Sequence, residues 1–264
     1  METNKIHITN SDCKTDRLQD FKIDLTDVTF FVHLRIDSNE RMESIVTLIN
    51  YTFLHFKTNF IVLEVDSEQR FSKEINHEGF LYKFIEDNDK VFHRTKWGNR
   101  VISKSEVPFV GVWDEDVIAP PEQIIEAVEK LRRNEAVLSY PYDGRFYSCD
   151  KVSCDLYKRL LNIEISMKIV PLMKLMHGYH SIGGTFIINK DRYLNIGCEN
   201  ELTSEKEIED TERLKRIGML NLPVSNLYGP LFHMWHPESK TNLYIDINHN
   251  ITNRIGLLNT CKIT

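Results

Sequence analysis

The chain has 264 residues, 41% hydrophobic and 27% charged, which is ordinary globular material and enough for one large α/β domain with a substantial core. A net charge of −6 argues against a broad nucleic-acid footprint, and the longest basic cluster, Lys130-Leu131-Arg132-Arg133, falls where an expected helix ends and cations favour the dipole. Five widely spaced cysteines without a CxxC pair exclude a disulfide framework and a zinc ribbon, so a reducing, cytoplasmic setting is expected.

The amino terminus, Met1-Glu2-Thr3-Asn4-Lys5, is polar and lacks the apolar core of a signal peptide. Val28 to Ile36 reads as a strand. After Asp37-Ser38-Asn39 comes an amphipathic helix with Met42, Ile45, Val46, Ile49 and Phe53 on one face. Asn59 to Val65 is the next strand, closing in Glu64-Val65-Asp66-Ser67. Val107 to Trp113 is a third strand, Pro121 to Arg133 a helix, Ala136 to Tyr140 a strand, and Thr185 to Asn189 a later one. Strand, helix and strand in alternation predict a doubly wound, mixed but mainly parallel sheet, followed by an irregular carboxyl-terminal lobe. No repeat or linker divides the chain, so one domain is expected over 1–264, with a more regular half near 25–140 and a less regular half near 141–264. No uncharged apolar stretch approaches the roughly 20 residues that a membrane-spanning helix needs. That still leaves room for peripheral association with a membrane.

The most informative stretch is Trp113-Asp114-Glu115-Asp116-Val117-Ile118-Ala119-Pro120-Pro121. The acids fall at the carboxyl end of a strand, where open α/β sheets place their ligand crevice. If the chain stays extended, Asp114 and Asp116 converge while Glu115 turns away, and two converging carboxylates need a proton or a cation between them. A hard divalent ion suits that role; simple capping of the helix that begins at Pro121 is the competing reading. The first strand-to-helix turn, Arg35-Ile36-Asp37-Ser38-Asn39-Glu40-Arg41, has no glycine, so a dinucleotide fingerprint or P-loop is excluded. Any nucleotide diphosphate must then be met by other means, and a metal is the obvious candidate.

Arg35 and Asp37 after the first strand, Asp66 ending the second, and the Asp114-Glu115-Asp116 triplet resemble the nucleotide half of the GT-A glycosyltransferases, especially the family 2 type. The resemblance continues in Ser181-Ile182-Gly183-Gly184-Thr185 and in Glu209-Asp210-Thr211-Glu212-Arg213. It implies that Asp114 and Asp116 hold manganese or magnesium, with His236 of Phe232-His233-Met234-Trp235-His236 completing the sphere. It further implies that Arg35, Asp37, Asp66, Asn99, Asp114, Gly183 and Gly184 contact the nucleotide sugar. Asp210, with Glu209 beside it, would be the general base on an acceptor hydroxyl, because such a hydroxyl is a weak nucleophile until a carboxylate takes its proton. Glu199 and Glu201 are alternative bases, and a solvated helix with Glu209 to Arg213 and Glu212 to Arg216 pairs is the plainer account of that segment. His236 could equally be structural, and Trp97 of Trp97-Gly98-Asn99-Arg100 equally core.

The expected activity is therefore inverting, metal-dependent transfer from a nucleotide sugar, with a UDP sugar as donor and a glycan or other carbohydrate as acceptor. A sugar nucleotidyltransferase is the enzymatic alternative, although it calls for a glycine-rich first turn. A non-catalytic nucleotide-sugar binding protein is the other.

Overall fold

The computed structural model describes residues 22–176, 178–203, 206–237, 254–256 and 258–260; Glu205, Cys13 and Cys261 lie outside them. The chain opens with β1 (Ile23–Leu34), whose Val-Thr-Phe-Phe-Val-His-Leu run is buried on both faces. Such a run belongs at the centre of a sheet covered on both sides. Ser38 then caps α1 (Asn39–His55), its hydroxyl accepting from the Arg41 N–H, and Met42, Ile45, Ile49 and Phe53 turn to the core. The helix passes directly into β2 (Phe56–Asp66), followed by β3 (Phe80–Glu86), α2 (Arg94–Lys104) and β4 (Phe109–Trp113). Two short strands, β5 (Val117–Ile118) and later β7 (Phe146–Ser148), bracket α3 (Pro121–Arg132) and β6 (Leu138–Tyr140). Pro121 opens α3, where its missing N–H costs nothing. The remainder is α4 (Lys151–Leu160), α5 (Ile163–Ile169), β8 (Lys174–Leu175), β9 (Thr185–Asn189), α6 (Lys190–Asn195), α7 (Lys206–Met219), β10 (Val224–Asn226) and β11 (Leu231–His233).

The main sheet has seven strands in the order β10-β6-β9-β4-β1-β2-β3. β1 pairs in parallel with β2 and β4, β2 with β3, and β6 with β10. β9 runs antiparallel between β4 and β6, which makes the sheet mixed but mainly parallel, as the alternating pattern predicts. A second sheet has the order β5-β11-β7-β8. Its outer strands are only two residues long, too short to show any periodicity in sequence.

These pairings position the site. β1, β2 and β4 are parallel, so their carboxyl ends open on one edge, where Asp37, Asp66 and Asp114 stand at or just beyond them. The antiparallel β9 enters at that same edge, and the Asp114 N–H donates to the Gly184 carbonyl at 2.8 Å. On the other side of the acidic turn, β11 pairs with β5, and the Met234 N–H donates to the Asp116 carbonyl at 2.7 Å. The triplet is thus the junction between the two sheets.

Candidate active site

The triplet does not stay extended. Residues 115 and 116 form a turn, and the Val117 N–H reaches back to the Asp114 carbonyl at 3.4 Å. The alternation that would bring Asp114 and Asp116 together holds only for extended backbone, and the turn breaks it. Asp114 accepts from Arg94 Nη2 at 2.5 Å, whereas Glu115 and Asp116 both face Arg41. The extended-chain alternation on which the expected convergence of Asp114 with Asp116 rests does not hold at this turn, and Glu115 shares Arg41 with Asp116 instead of turning away from it.

Asp116 keeps different company. Its Oδ2 lies 3.1 Å from His236 Nε2 and 3.6 Å from His233 Nε2, and one donor atom from each of the three lies within 4.8 Å of the others. β11 carries His233 and the following turn brings in His236. The His236 Nδ1 stands 2.7 Å from the Pro237 carbonyl oxygen, an arrangement that keeps the proton on Nδ1 and presents Nε2 to Asp116. The contact with Asp116 raises the pKa of His236, against the opposing effect of burial. One carboxylate and two imidazoles would suit a divalent transition metal and fit manganese better than magnesium. Arg41 borders the set: its Nη1 is 3.5 Å from Asp116, its Nη2 3.5 Å from His236, and its Nε 3.1 Å from Asp37.

On the opposite side of the turn a narrow cavity of about 40 Å³ is lined by Asp114, Arg94, Gly184, Glu209, Asp210 and Arg213, among others. Gly183 explains why α7 can come so close. A Cβ placed there would lie 2.7 Å from Asp210 Oδ2. Arg213 Nη1 donates to Asp210 Oδ1 at 2.7 Å and thereby fixes the rotation of the carboxylate. Arg213 also forks onto Glu199, with Nε at 2.8 Å and Nη2 at 3.2 Å, and stacks its guanidinium 3.9 Å from the Phe186 ring centre.

The segment is therefore no solvated helix. Glu209, Glu212, Arg213 and Arg216 are all buried, and although Glu212 pairs with Arg216 at 3.0 Å, Arg213 turns to Glu199 and Asp210 instead of Glu209. Burial pushes the Glu209 carboxyl up to about 8, only partly countered by Arg94 at 3.9 Å. Burial also works against ionisation of Glu199, yet Arg213 outweighs it and holds that carboxyl below its ordinary value. Glu199 is thus locked in an ion pair, while Glu201 accepts from Asn99 at 2.9 Å. Neither lines up with Gly183 as Asp210 does.

The remaining expected contacts are dispersed. Arg35 donates to the carbonyls of Val65, Asp89 and Lys90. Asp66 accepts from the Ser67 backbone at 2.8 Å. The Asn99 amide is spent on the 199–201 loop, giving to the Glu199 carbonyl and taking from its N–H, both at 2.9 Å. Asp37 lines a wider cleft of about 520 Å³ together with Ser38, Asn39, Arg70 and Lys73. The narrow cavity holds water and little more, whereas the cleft is in the range that small-molecule sites occupy. Trp97 is buried, with Arg100 stacked on its ring.

Four participants escape sequence reasoning: His233, Arg41, Arg94 and Arg213. The His-x-x-His spacing could have flagged His233 alongside His236. The three arginines carry no such signal, because each meets its carboxylates through the fold.

No family model matches the chain and no curated protein sequence matches it. Solved structures do. Glucosyl-3-phosphoglycerate synthase from Mycobacterium tuberculosis, in complex with Mn2+, UDP and glucosyl-3-phosphoglycerate, superposes with a TM-score of 0.50 at 12% identity, over 90% of this chain and 80% of that one. The catalytic domain of Drosophila beta1,4-galactosyltransferase 7, in complex with xylobiose, gives 0.50 at 13% identity, over 88% and 79%. The mannosyltransferase PcManGT from Pyrobaculum calidifontis, in complex with GDP-Man and Mn2+, gives 0.51 at 12% identity, over 93% and 66%. The chain has the GT-A fold. Within that GT-A frame the Asp116, His233 and His236 cluster stands at the edge where β4 ends, and the Asp210 cavity lies across the same turn.

Proposed function

We propose that the protein is an inverting, metal-dependent glycosyltransferase that moves a sugar from a nucleotide sugar, a UDP sugar being the first to test, to a hydroxyl of a carbohydrate acceptor. The observation that carries this reading is the setting of Asp210: its Oδ2 lies against Gly183 in a cavity shared with Asp114, while Arg213 holds Oδ1 at 2.7 Å. A carboxylate so oriented, one turn of chain away from a metal-ligating cluster, is what a base for an acceptor hydroxyl requires. The solved structures of the same fold that contain Mn2+ with UDP or GDP-Man support the donor class.

Asp116, His233 and His236 would hold the cation, which when bound neutralises charge on the departing diphosphate. The chain's own residues do the rest. The cleft beside Asp37 supplies room for the nucleoside, with Arg70 and Lys73 as its cations. Arg94, now on Asp114, brings a second positive charge to the cavity edge, where a diphosphate can compete for it. Burial makes Glu209 a weaker acid than usual, and Asp210 would accept the hydroxyl proton during attack on the anomeric carbon. On this reading the donor half would come from about 25–140 and the acceptor half from the described residues after about 141.

The test is Asp210→Asn, which keeps the shape and removes the basic oxygen. UDP and Mn2+ binding measured by calorimetry should persist while transfer falls by about two to four orders of magnitude. Near-normal turnover in Asp210→Asn, with loss in Glu201→Gln instead, would reassign the base.

A further inference from the structure

Away from this site, α4 presents an unusual outer face. Cys154 and Tyr157 anchor the helix inward, and on the outside Val152, Leu156 and Leu160, at i, i+4 and i+8, are 78%, 43% and 54% exposed. The stripe continues along the chain: Met167 in α5 is 43% exposed and Leu172 87% exposed. Isolated exposed apolar residues are common, but five between Val152 and Leu172, on two helices that pack on each other and the turn that follows, are a concentration that normally marks a contact surface.

The charges around it are just as informative. Between Lys151 and Met176 there are five basic residues and two acidic ones, although the whole chain carries −6. Lys158 is paired with Glu43, and Asp150 is used in capping α4. Lys151, Arg159, Lys168 and Lys174 are exposed beside the apolar side chains, with Asp155 and Glu164 as the opposing charges. Long cationic side chains flanking an apolar face can lay their stems along a hydrocarbon boundary and lift their charged ends to phosphates. A second copy of the chain is a poorer match, because a two-fold contact through this face would set its cations against themselves.

We propose that α4 and the segment through Lys174 are a docking face for an anionic lipid bilayer. Val152, Leu156, Leu160, Met167 and Leu172 enter the boundary between headgroups and acyl chains, and Lys151, Arg159, Lys168 and Lys174 pair with lipid phosphates. None of the described helices is long and apolar enough to cross a membrane, so the contact is one of lying on the surface. β8, which follows the patch, belongs to the same four-stranded sheet as β11 and its His233, and Lys151 at the head of α4 sits 5.1 Å from the Trp235 ring. Docking therefore holds the metal-ligating cluster near the lipid surface. The inference does not depend on sugar transfer, since vesicle binding needs no donor.

The experiment is co-sedimentation of the full chain with vesicles of phosphatidylcholine alone and of phosphatidylcholine mixed with phosphatidylglycerol. Binding is expected to the anionic vesicles and to weaken in high salt. Each interfacial cation is worth about fivefold in affinity, so Lys168→Glu with Lys174→Glu should weaken binding by more than about tenfold. Leu156→Asn with Leu160→Asn should lose a comparable factor on the same vesicles. All four side chains are exposed, and melting curves establish that each variant is folded; the lysine pair stands alone as a test if the leucine pair is not. Absence of binding to anionic vesicles overturns the proposal, as does binding by both folded variants as tight as that of the wild type. A change in the particle mass measured by light scattering, with vesicle binding untouched, transfers the face to a second copy of the chain.

Discussion

Glu209 and Asp210 are neighbours in sequence with opposite surroundings. Asp210 is ion-paired with Arg213, whereas Glu209 is buried, one of its oxygens, Oε1, has no hydrogen-bond partner, and its pKa is pushed up to about 8. With Glu209 raised in this way, the ion-paired Asp210 is the carboxyl of the two placed to act as a base. The shift also has a thermodynamic consequence. A carboxyl whose folded-state pKa lies above its unfolded value of 4.5 contributes stability that is fully present below about 4.5 and is lost as pH rises through about 8. Urea unfolding at a series of pH values should therefore show stability declining across that window. Glu209→Gln should flatten the decline, with a gain over the wild type of order 2–4 kcal/mol at the alkaline end. If the two proteins lose stability in parallel, Glu209 is ionised in the folded state and the distinction between the two carboxyls fails.

The Gly183-Gly184 turn shows how two consecutive glycines can serve different ends. Gly184 has φ of +88°, and a Cβ there would press on Leu231 and Phe146, so Gly184→Ala should cost about 1–2 kcal/mol from backbone strain alone. A Cβ at Gly183 would meet only the far end of the Asp210 side chain. Gly183→Ala should thus leave melting nearly unchanged, within about 1 kcal/mol, and lower turnover by about tenfold or more as Asp210 is displaced. A variant with lost stability and intact turnover would mean that the glycine serves packing and not the base. The same region marks what can be read from sequence. β1, α1, β2, β4, α3 and β9 follow from apolar periodicity because each buries a continuous face. The direction of β9 does not, since pairing polarity is decided by strands that are distant in sequence. β3 is half-buried on one face and largely exposed on the other yet places apolar residues such as Leu81 on both, so its contrast is weak, and Gly98 interrupts the pattern of α2. At the site, the type and order of Asp116 and His236 mark them as candidates, and the fold brings them within reach of each other. The partnership of Asp114 with Arg94 was not, because it depends on a turn at 115–116 that the flanking apolar strand disguises.

The two sheets of the molecule meet at a candidate metal-binding cluster drawn from both sides. Asp116 follows β4 of the seven-stranded sheet, and His233 ends β11 of the four-stranded one. With the buried Asp116 carboxylate facing Arg41, one guanidinium now supplies part of the positive charge that holds the junction together. A divalent cation bound by Asp116, His233 and His236 would link the sheets directly, and any ligand that binds only the folded state raises its stability, by about 2.7 kcal/mol at a hundredfold excess over Kd. Manganese should accordingly raise the melting temperature by several degrees, and UDP should add a further rise only when manganese is present. His233→Ala and His236→Ala should each abolish the manganese effect while changing the metal-free melting temperature little, because both imidazoles are only partly buried. Asp114→Asn separates the two readings of the acidic triplet: it should retain the manganese shift if Asp114 serves Arg94, and lose it if Asp114 is a ligand. Calorimetric titration of manganese into the same four proteins provides the direct measurement. Binding that survives in both histidine variants but vanishes in Asp114→Asn would move the metal to the other side of the turn.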